Sequence, residues 1–237
     1  MSFLYHTFFL DPLYNAMIFL FKVLPWADAG IIVIILTIFV RLILFPLSRK
    51  AVLTQVKMAQ IGPELEAIKE KYKDKSEEQA RRTLALYKEK GVNPFSGILV
   101  IIVQIPIILA LYRIFLDFPK VNAAVLYPFI KVPEHVNTLF FGLVDISGKS
   151  ASMAILAAAS TYFQLHISTQ GQSKPKGNSF GDNLTRNMQG QMKYFFPILV
   201  FFISYKISGA IALYWLTTNL FSILQELFVR KNITKTA

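Results

Sequence analysis

Five apolar stretches alternate with polar segments along the chain, at residues 28–48, 93–117, 151–168, 193–206 and 209–229. A helix of roughly 20 apolar residues crosses the hydrocarbon of a bilayer, and most of the stretches approach that length. Backbone groups in lipid need hydrogen-bond partners within their own segment, so spans of this kind are expected to be helical. The pattern predicts an all-α membrane protein with five transmembrane helices.

The polar segments between these stretches differ in character. Residues 1–27 contain an aromatic and apolar run, which we expect to form an amphipathic helix lying in the outer membrane interface. Residues 118–150 are expected to form an outer loop with short interfacial pieces. Residues 169–192, rich in Gly, Ser, Asn and Gln, are expected to form a mobile loop, and residues 230–237 a short basic tail.

Residues 49–92 are too long and too charged for a simple connector. Pro63 can open a helix, and Ser76 with Gln79 forms a capping-box pattern for a second helix. Apolar residues recur at helical spacing in both halves, which predicts an antiparallel helical hairpin outside the membrane. The residues that we expect to form its recruitment surface are Pro63, Leu65, Ile68, Tyr72, Leu84 and Tyr87.

Basic residues are distributed unevenly between alternate polar segments. Residues 49–92, 169–193 and 230–237 together hold 18 Lys and Arg, whereas the segments on the opposite side hold five. Because cytoplasmic loops carry the excess of basic residues, we expect the N-terminus outside and the C-terminus in the cytoplasm. The hairpin has a net charge of only +4, which favours a docking element over a nucleic-acid groove, and we expect no sequence-specific nucleic acid partner.

Composition agrees with a membrane protein and narrows the chemistry. Of 237 residues, 54% are hydrophobic and only 16% are charged, against roughly 25% in soluble domains. The chain contains no cysteine, which excludes disulfides, thiolate chemistry and lipid attachment through cysteine. The first residues show no basic segment and no small-residue cleavage site, so we expect no signal or transit peptide.

Arg41 lies inside the first apolar run, Ala29 to Leu47, and is the most informative residue of the sequence. An arginine near the middle of a membrane helix costs about 2.5–3.5 kcal/mol on insertion scales, and such residues mark function more often than structure. The predicted spans offer no carboxylate at the depth of Arg41. A cation without a fixed partner is available to a transient one.

Polar residues on other spans could surround Arg41. Thr37 lies one turn before it, Gln104 lies on the second span, and Gln164 follows Ser160 and Thr161 on the third. The fifth span carries a polar stripe at helical spacing, consisting of Trp215, Thr218, Asn219, Ser222 and Gln225. Such a stripe is typical of hydrogen bonding between helices or of a hydrated cavity, and the sequence leaves both open.

Enzyme classes find no support in the sequence. The three histidines, His6, His135 and His166, are scattered without metal-ligand spacing, and no phosphate-binding or dinucleotide-binding motif is present. An intramembrane protease would need paired carboxylates, a His-Glu-x-x-His helix or a base beside its serine. We therefore expect no catalytic residues, no metal and no cofactor.

Motifs along nearly the whole chain together resemble one family, the YidC-type membrane protein insertases of the Oxa/Alb superfamily, in a bacterial five-span form. The residues that carry the resemblance are Thr37, Arg41, Pro46, Leu47 and Lys50; Met58, Pro63, Leu65, Ile68, Lys71, Tyr72 and Leu86 to Lys88; Asn93, Pro94, Gly97, Gln104 to Pro106 and Ala110 to Tyr112; and Phe196, Pro197, Gly209, Ala212 to Trp215, Thr218 and Asn219. Their order and spacing carry the specificity, since no single motif is decisive.

The resemblance implies a membrane protein insertase and chaperone in the bacterial plasma membrane. Its five helices would enclose a hydrophilic groove open to cytoplasm and lipid, with the groove arginine at Arg41. The expected groove residues are Thr37, Arg41, Gln104, Gln164, Trp215, Thr218, Asn219 and Ser222. The expected partners are nascent membrane proteins and membrane lipids, with the Sec translocon and the ribosome left open.

Two other classes remain open at this stage. An anion-binding transporter or channel could use Arg41 as its ligand, although an odd number of spans does not provide the paired repeats of such proteins. The other class is a non-catalytic, purely structural membrane assembly subunit.

Overall fold

The computed structural model describes residues 2–93, 95–170 and 180–234 and is mostly helical. Its helices are α1 (Ser2–Tyr5), α2 (Asp11–Val23), α3 (Ala29–Ile43), α4 (Phe45–Gln60), α5 (Gly62–Lys71), α6 (Ser76–Glu89), α7 (Ser96–Asp117), α8 (Ala151–Ser168), α9 (Phe180–Ile207) and α10 (Gly209–Thr234). A π-helical segment, His6–Leu10, joins α1 to α2, and a 3-10 turn covers Ala123–Val125. The strands β1 (Leu139–Phe140) and β2 (Val144–Asp145) form a short antiparallel hairpin.

Some sequence predictions fall outside the described residues. They are Pro94 of the second apolar stretch, residues 171–179 of the expected 169–192 loop, and residues 235–237 of the tail. The remainder of that expected loop differs from the prediction, because α9 already begins at Phe180. The fifth stretch also extends further than expected, since α10 continues to Thr234.

The first apolar stretch is bent where the sequence predicts one continuous span. Helix α3 ends at Ile43, Leu44 interrupts it, and α4 begins at Phe45 with its axis turned by 65°. Pro46 explains the break, because its ring lacks an N–H and clashes with the carbonyl four residues earlier. By length and hydropathy, no single described helix qualifies as a membrane span, whereas the bent pair α3–α4 does.

The hairpin expected at residues 49–92 is formed by α5 and α6. Ile61, Leu86 and Val92 are buried where the two helices meet. The Lys90 ammonium donates to Glu64 Oε1 at 2.9 Å, and the pairing of an early α5 residue with the residue after α6 shows that the helices run antiparallel. The pair lies at the open end of the hairpin, where α4 leads into α5.

The expected capping box of α6 is wrong. The residue that caps the helix is Lys75, and its side chain makes no capping hydrogen bond. Gln79 is turned away from the helix start, since its Nε2 donates to the carbonyl of Lys69 at 3.0 Å. The amide therefore joins α6 to the end of α5. The four-residue pattern from Ser76 to Gln79 cannot distinguish this contact between helices from a capping box.

Asn15 fixes the N-terminal helix against the 118–150 loop. Its side chain is buried, with 1% of its surface exposed. Nδ2 donates to the carbonyl of Val125 at 3.0 Å, and Oδ1 accepts from the N–H of Tyr127 at 2.7 Å. A buried amide that is satisfied on both sides holds its partners in one arrangement, because leaving either group unpaired would be costly.

Asp28 joins the start of α3 to the β-hairpin of the same loop. One carboxylate oxygen accepts from the N–H of Ile31, as an N-cap residue does, and the other accepts from the N–H of Phe141, both at 3.0 Å. Phe141 has a positive φ of 51°, an uncommon conformation that places its N–H toward the carboxylate. At Gly30 a Cβ would lie 2.1 Å from the Phe140 ring, so the hairpin approaches α3 very closely.

The last three helices form one packed unit. Helix α8 packs along both α9 and α10, and α10 also packs against α3. Only Ser208 separates α9 from α10, and the start of α10 is anchored to the 118–150 loop by Ala210 N–H donating to the Ile146 carbonyl at 2.9 Å. A Cβ at Gly209 would lie 2.9 Å from Ile146 Cα, which requires a glycine there. The loop thus holds α3 and α10 together at one end.

We expect Asp28→Ala to lower the free energy of unfolding by about 1–2 kcal/mol, because the change removes an N-cap and the acceptor of the Phe141 N–H. Chemical denaturation in detergent micelles measures the effect. Glu134→Ala is the matched control, since Glu134 is an exposed carboxylate of the same loop. Equal stability of the two variants would show that Asp28 does not hold the hairpin.

Candidate functional site

Arg41 lies in the last turn of α3 and is half-buried. Within the described residues, its guanidinium makes no hydrogen bond and has no carboxylate within ion-pair distance. Its electrostatic neighbour is the phenol of Tyr214, on α10. Among its neighbours the arginine therefore has a neutral polar group.

Thr37 lies one turn before Arg41 and is buried. Its hydroxyl donates to the carbonyl of Val33 on the same helix at 2.6 Å. The donor is thus used within α3, while the hydroxyl oxygen can still accept. This arrangement gives the α3 face a polar character without an additional charge.

Tyr214 is the main residue of this region that the sequence-based selection missed. Its side chain is 5% exposed, and its hydroxyl accepts from Gln104 Nε2 at 2.7 Å. The bond joins α7 to α10, two helices with few other contacts. A tyrosine in an apolar helix is usually interpreted as a core residue. The sequence signal that could have identified Tyr214 is its position one helical turn before Thr218, a member of the predicted stripe.

Asn219 connects helices α8 and α10. It is buried, and its Nδ2 donates to Ser160 Oγ at 3.0 Å and to Thr161 Oγ1 at 2.8 Å. Both hydroxyls in turn donate to the carbonyl of Ala157. For this residue the structure favours hydrogen bonding between helices over the lining of a cavity.

The rest of the stripe divides between packing and hydrogen bonding. The Ser222 hydroxyl donates to the Thr218 carbonyl on its own helix at 2.8 Å, and Thr218 is buried. Gln225 Nε2 donates to Ser48 Oγ on α4 at 2.8 Å. Trp215 is half-buried and packs against the main core. The stripe therefore contacts different helices along its length, since Asn219 bonds to α8 and Gln225 bonds to α4.

The structure joins Gln104 on α7 to Tyr214 on α10, and Tyr214 is the electrostatic neighbour of Arg41 on α3. Gln164 is half-buried on α8 and, within the described residues, makes no hydrogen bond. The polar region near Arg41 is thus assembled from α3, α7 and α10. Among the described residues, no three His, Cys, Asp or Glu side chains lie together as a metal site would require.

A second polar cluster fixes the end of α8. Arg230 on α10 forms an ion pair with Glu226 at 2.7 Å and donates to the carbonyls of Ile167 and Gln170. Gln55 on α4 donates to the carbonyl of Ser168. The last carbonyls of a helix have no partner of their own, and cationic or amide donors satisfy them here.

The hairpin residues chosen from the sequence have two different roles. Leu65, Ile68 and Tyr87 pack against the hairpin's own core, whereas the side chain of Leu84 is 64% exposed. The core position of α6 is Leu86, two residues after the predicted Leu84. Pro63 is exposed and Tyr72 is half-buried, with Lys71 Nζ at 5.7 Å and Arg82 Cζ at 5.9 Å from the centroid of its ring.

Charges on the hairpin surface are paired locally. The hydrogen bond from Arg82 to Glu78 Oε1, 2.8 Å long, lowers the pKa of the Glu78 carboxyl. Arg81 lies 3.8 Å from the same carboxylate. Exposed pairs of this kind contribute little to stability. They give the helix that carries the exposed Leu84 a surface with both positive and negative charges.

An apolar, mostly helical chain with a partly buried arginine is typical of helical membrane proteins. Residues 19–236 match the family described as 60Kd inner membrane protein, and the chain belongs to that family. Its membership indicates a bacterial inner membrane protein.

Relatives named membrane protein insertase YidC confirm the resemblance found in the motifs. The protein of Wolinella succinogenes is 30% identical over 96% of this chain, and that of Campylobacter jejuni 28% over 97%. The chain spans only 38% and 39% of their respective lengths. The protein of Clostridium tetani is 28% identical over 87% of this chain and 84% of its own length.

We expect Asn219→Ala to destabilise the α8–α10 pair by about 1–2 kcal/mol, because it removes two hydrogen bonds between helices within an apolar core. Ser222→Ala on the same helix is the control, since its hydroxyl donates only to the Thr218 carbonyl on its own helix. Unfolding in detergent measures both variants. An Asn219→Ala protein as stable as Ser222→Ala would contradict a packing role.

Proposed function

We propose that the chain is a membrane protein insertase, in which Arg41 attracts acidic segments of a nascent membrane protein into a hydrated groove. The observation that carries the proposal is the half-buried Arg41 without a carboxylate partner among the described residues. The relatives' names, membrane protein insertase YidC, support the same activity. They do not favour the anion transporter or channel, or the non-catalytic assembly subunit.

In the proposed topology five helical spans cross the plasma membrane, with the N-terminus outside and the C-terminus in the cytoplasm. The bend between α3 and α4 then turns the chain out of the first span toward the hairpin. The 118–150 loop lies on the outer side, where its contacts with α3 and α10 close the groove. The groove is open to the cytoplasm and to lipid.

The energetic problem of insertion is the polar tail that must cross hydrocarbon. An isolated charge in an apolar medium is very costly unless it finds a partner. Two opposite charges 4 Å apart attract by about 4 kcal/mol at an effective dielectric constant of 20, against about 1 kcal/mol in water. A cation in a partly hydrated groove therefore lowers the barrier for an acidic tail.

The apolar segment of the substrate supplies the driving force. Each leucine, isoleucine, phenylalanine or valine contributes about −0.3 to −0.6 kcal/mol at the centre of an inserted helix. About 20 such residues therefore favour the inserted state by several kcal/mol, without nucleotide hydrolysis. The groove shortens the polar path, and the substrate helix leaves it sideways into lipid along α3, α8 and α10.

The α5–α6 hairpin is the proposed recruitment element for nascent chains, and possible larger partners are the Sec translocon and the ribosome. Its support is the exposed Leu84 among mixed charges, on a helical pair that carries its own small core. In this arrangement Leu65, Ile68 and Tyr87 maintain the hairpin, while Pro63, Tyr72 and Leu84 are available for contact.

We expect Arg41→Ala to lower insertion of a single-span substrate with an acidic N-terminal tail by about tenfold, equivalent to ~1.4 kcal/mol. Insertion of a matched substrate with asparagines in place of the acidic residues falls much less, because a neutral tail is not attracted by the Arg41 charge. Arg41→Lys retains most of the activity. Protease protection of the tail in reconstituted vesicles measures insertion of both substrates.

Lys206→Ala is the control for this experiment, because it removes an exposed cation at the end of α9. It leaves the ratio of acidic-tail to neutral-tail insertion unchanged. Arg41→Ala with the wild-type ratio would rule out electrostatic attraction as the basis of the proposed function.

A further inference from the structure

His166, in the last turn of α8, lies beside Lys193 on α9. The Lys193 ammonium donates to His166 Nδ1 at 2.6 Å. Because an ammonium can only donate, Nδ1 of the ring accepts, and the neutral ring carries its proton on Nε2. The pair therefore presents the N–H of the imidazole, the remaining N–H groups of the ammonium and a positive charge.

Two tyrosines pack against this pair. The Tyr162 ring is stacked on the His166 ring with their centroids 6.2 Å apart, and Lys193 Nζ lies 5.5 Å from the Tyr162 centroid. The Tyr194 ring lies 6.0 Å from that of Tyr162. An ammonium over an aromatic face is attracted by the ring, so Lys193 is positioned without a carboxylate. We call these four residues the α8–α9 basic site.

The charge of the α8–α9 basic site is not neutralised by a carboxylate among the described residues. The ion pairs in that part of the chain involve other cations. Glu226, in the polar cluster on α10, is buried and paired with Arg230. His166 is exposed and Lys193 is half-buried, so an external anion can reach both side chains.

Exposed aromatic side chains flank the α8–α9 basic site. Phe163 follows Tyr162 on α8 and is 58% exposed, and Phe195 follows Tyr194 on α9 and is 62% exposed. Tyrosines beside exposed apolar rings are typical of the membrane interface, where the phenol lies at headgroup level. A free phosphate ion would leave the phenylalanine rings uncovered, whereas the acyl chains of a phospholipid cover them.

We propose that the α8–α9 basic site binds the phosphate group of an anionic phospholipid, with Lys193 and the Nε2–H of His166 donating to its oxygen atoms. The lipid phosphodiester carries a single negative charge, which the ammonium neutralises. In the proposed topology the site faces the cytoplasmic leaflet, where basic pockets between helices bind lipid headgroups. The inference goes beyond the insertase function and does not depend on Arg41.

Native mass spectrometry of the purified protein in detergent measures the affinity for phosphatidylglycerol and for zwitterionic phosphatidylcholine. We expect Lys193→Ala to weaken binding of phosphatidylglycerol about fivefold to tenfold, or ~1–1.4 kcal/mol, and to leave binding of phosphatidylcholine unchanged. Lys193→Arg retains most of the affinity, because it keeps the charge and the donors.

Lys206→Ala is the matched control, because it removes an exposed cation at the other end of the same helix. It leaves the affinity for phosphatidylglycerol at the wild-type level. An equal loss in Lys193→Ala and Lys206→Ala would show that the lipid responds to net charge alone, and it would overturn the proposal.

Nuclear magnetic resonance of protein with ¹⁵N-labelled histidine locates the lipid. The chain has three histidines, and His166→Phe identifies the His166 signals while keeping a ring beside Tyr162. In nanodiscs, replacing part of the phosphatidylcholine with phosphatidylglycerol is expected to shift the His166 Nε2 signal and to leave His6 and His135 unchanged. No shift at His166, or an equal shift at all three histidines, would contradict the assignment.

Inorganic phosphate, added to the protein in detergent at the same concentration as the lipid, distinguishes a lipid site from a simple anion site. We expect no shift of the His166 signal from phosphate alone, and a shift as large as that from phosphatidylglycerol would overturn the lipid assignment. Both measurements are made without a substrate protein. Their failure therefore leaves the proposed insertase function standing, and loss of the Arg41 effect on insertion leaves the lipid site standing.

Discussion

A cation inside an apolar helix is costly, and the proposed function requires that Arg41 be stabilised without being neutralised. Burial of the guanidinium in hydrocarbon costs several kcal/mol, so the site needs polar neighbours or water. Among the described residues, those neighbours are neutral. The Tyr214 hydroxyl accepts a hydrogen bond from Gln104, and the Thr37 hydroxyl donates within α3.

The helices that carry these residues are held by contacts away from the site. At one end the 118–150 loop binds α3 through Asp28 and α10 through the Ile146 carbonyl. Further along, Asn219 joins α10 to α8. These contacts fix α10 on two sides, so the position of Tyr214 relative to Arg41 depends on packing across the whole bundle. By contrast α7 has few contacts with α10 beyond Gln104, which makes this amide a sensitive link.

Local pattern predicted helices at the apolar stretches and pointed to Arg41, but it predicted neither the break at Leu44 nor the start of α9 at Phe180. Apolar run length and a lone charge are properties of neighbouring residues, and both can be read along the chain. Asn15, Asp28 and Tyr214 were not selected, because their partners lie more than a hundred residues away in sequence. The hairpin was predicted, but its core contains Leu86 rather than Leu84, since helical spacing alone fits several neighbouring positions.

The polar residues of the fifth stretch also show that local pattern does not predict which helix a side chain contacts. Their spacing predicts a shared helix face, yet Asn219 bonds to α8 and Gln225 to α4. A face that is continuous along one helix is divided by the helices that pack against it. Residue type therefore indicates that a position needs a polar partner, while only the fold decides whether that partner is another helix, water or a substrate.

The central claim is that Arg41 lies in a hydrated groove open to the cytoplasm, and its water access can be measured directly. The chain has no cysteine, so Arg41→Cys introduces a single thiol, with Leu42→Cys on the exposed apolar surface as control. A membrane-impermeant thiol reagent is added to inverted vesicles and, separately, to the outer face of intact cells. The account predicts rapid labelling at position 41 from the cytoplasmic face only and little at position 42. Absence of labelling at position 41, or labelling from the outer face, would contradict it.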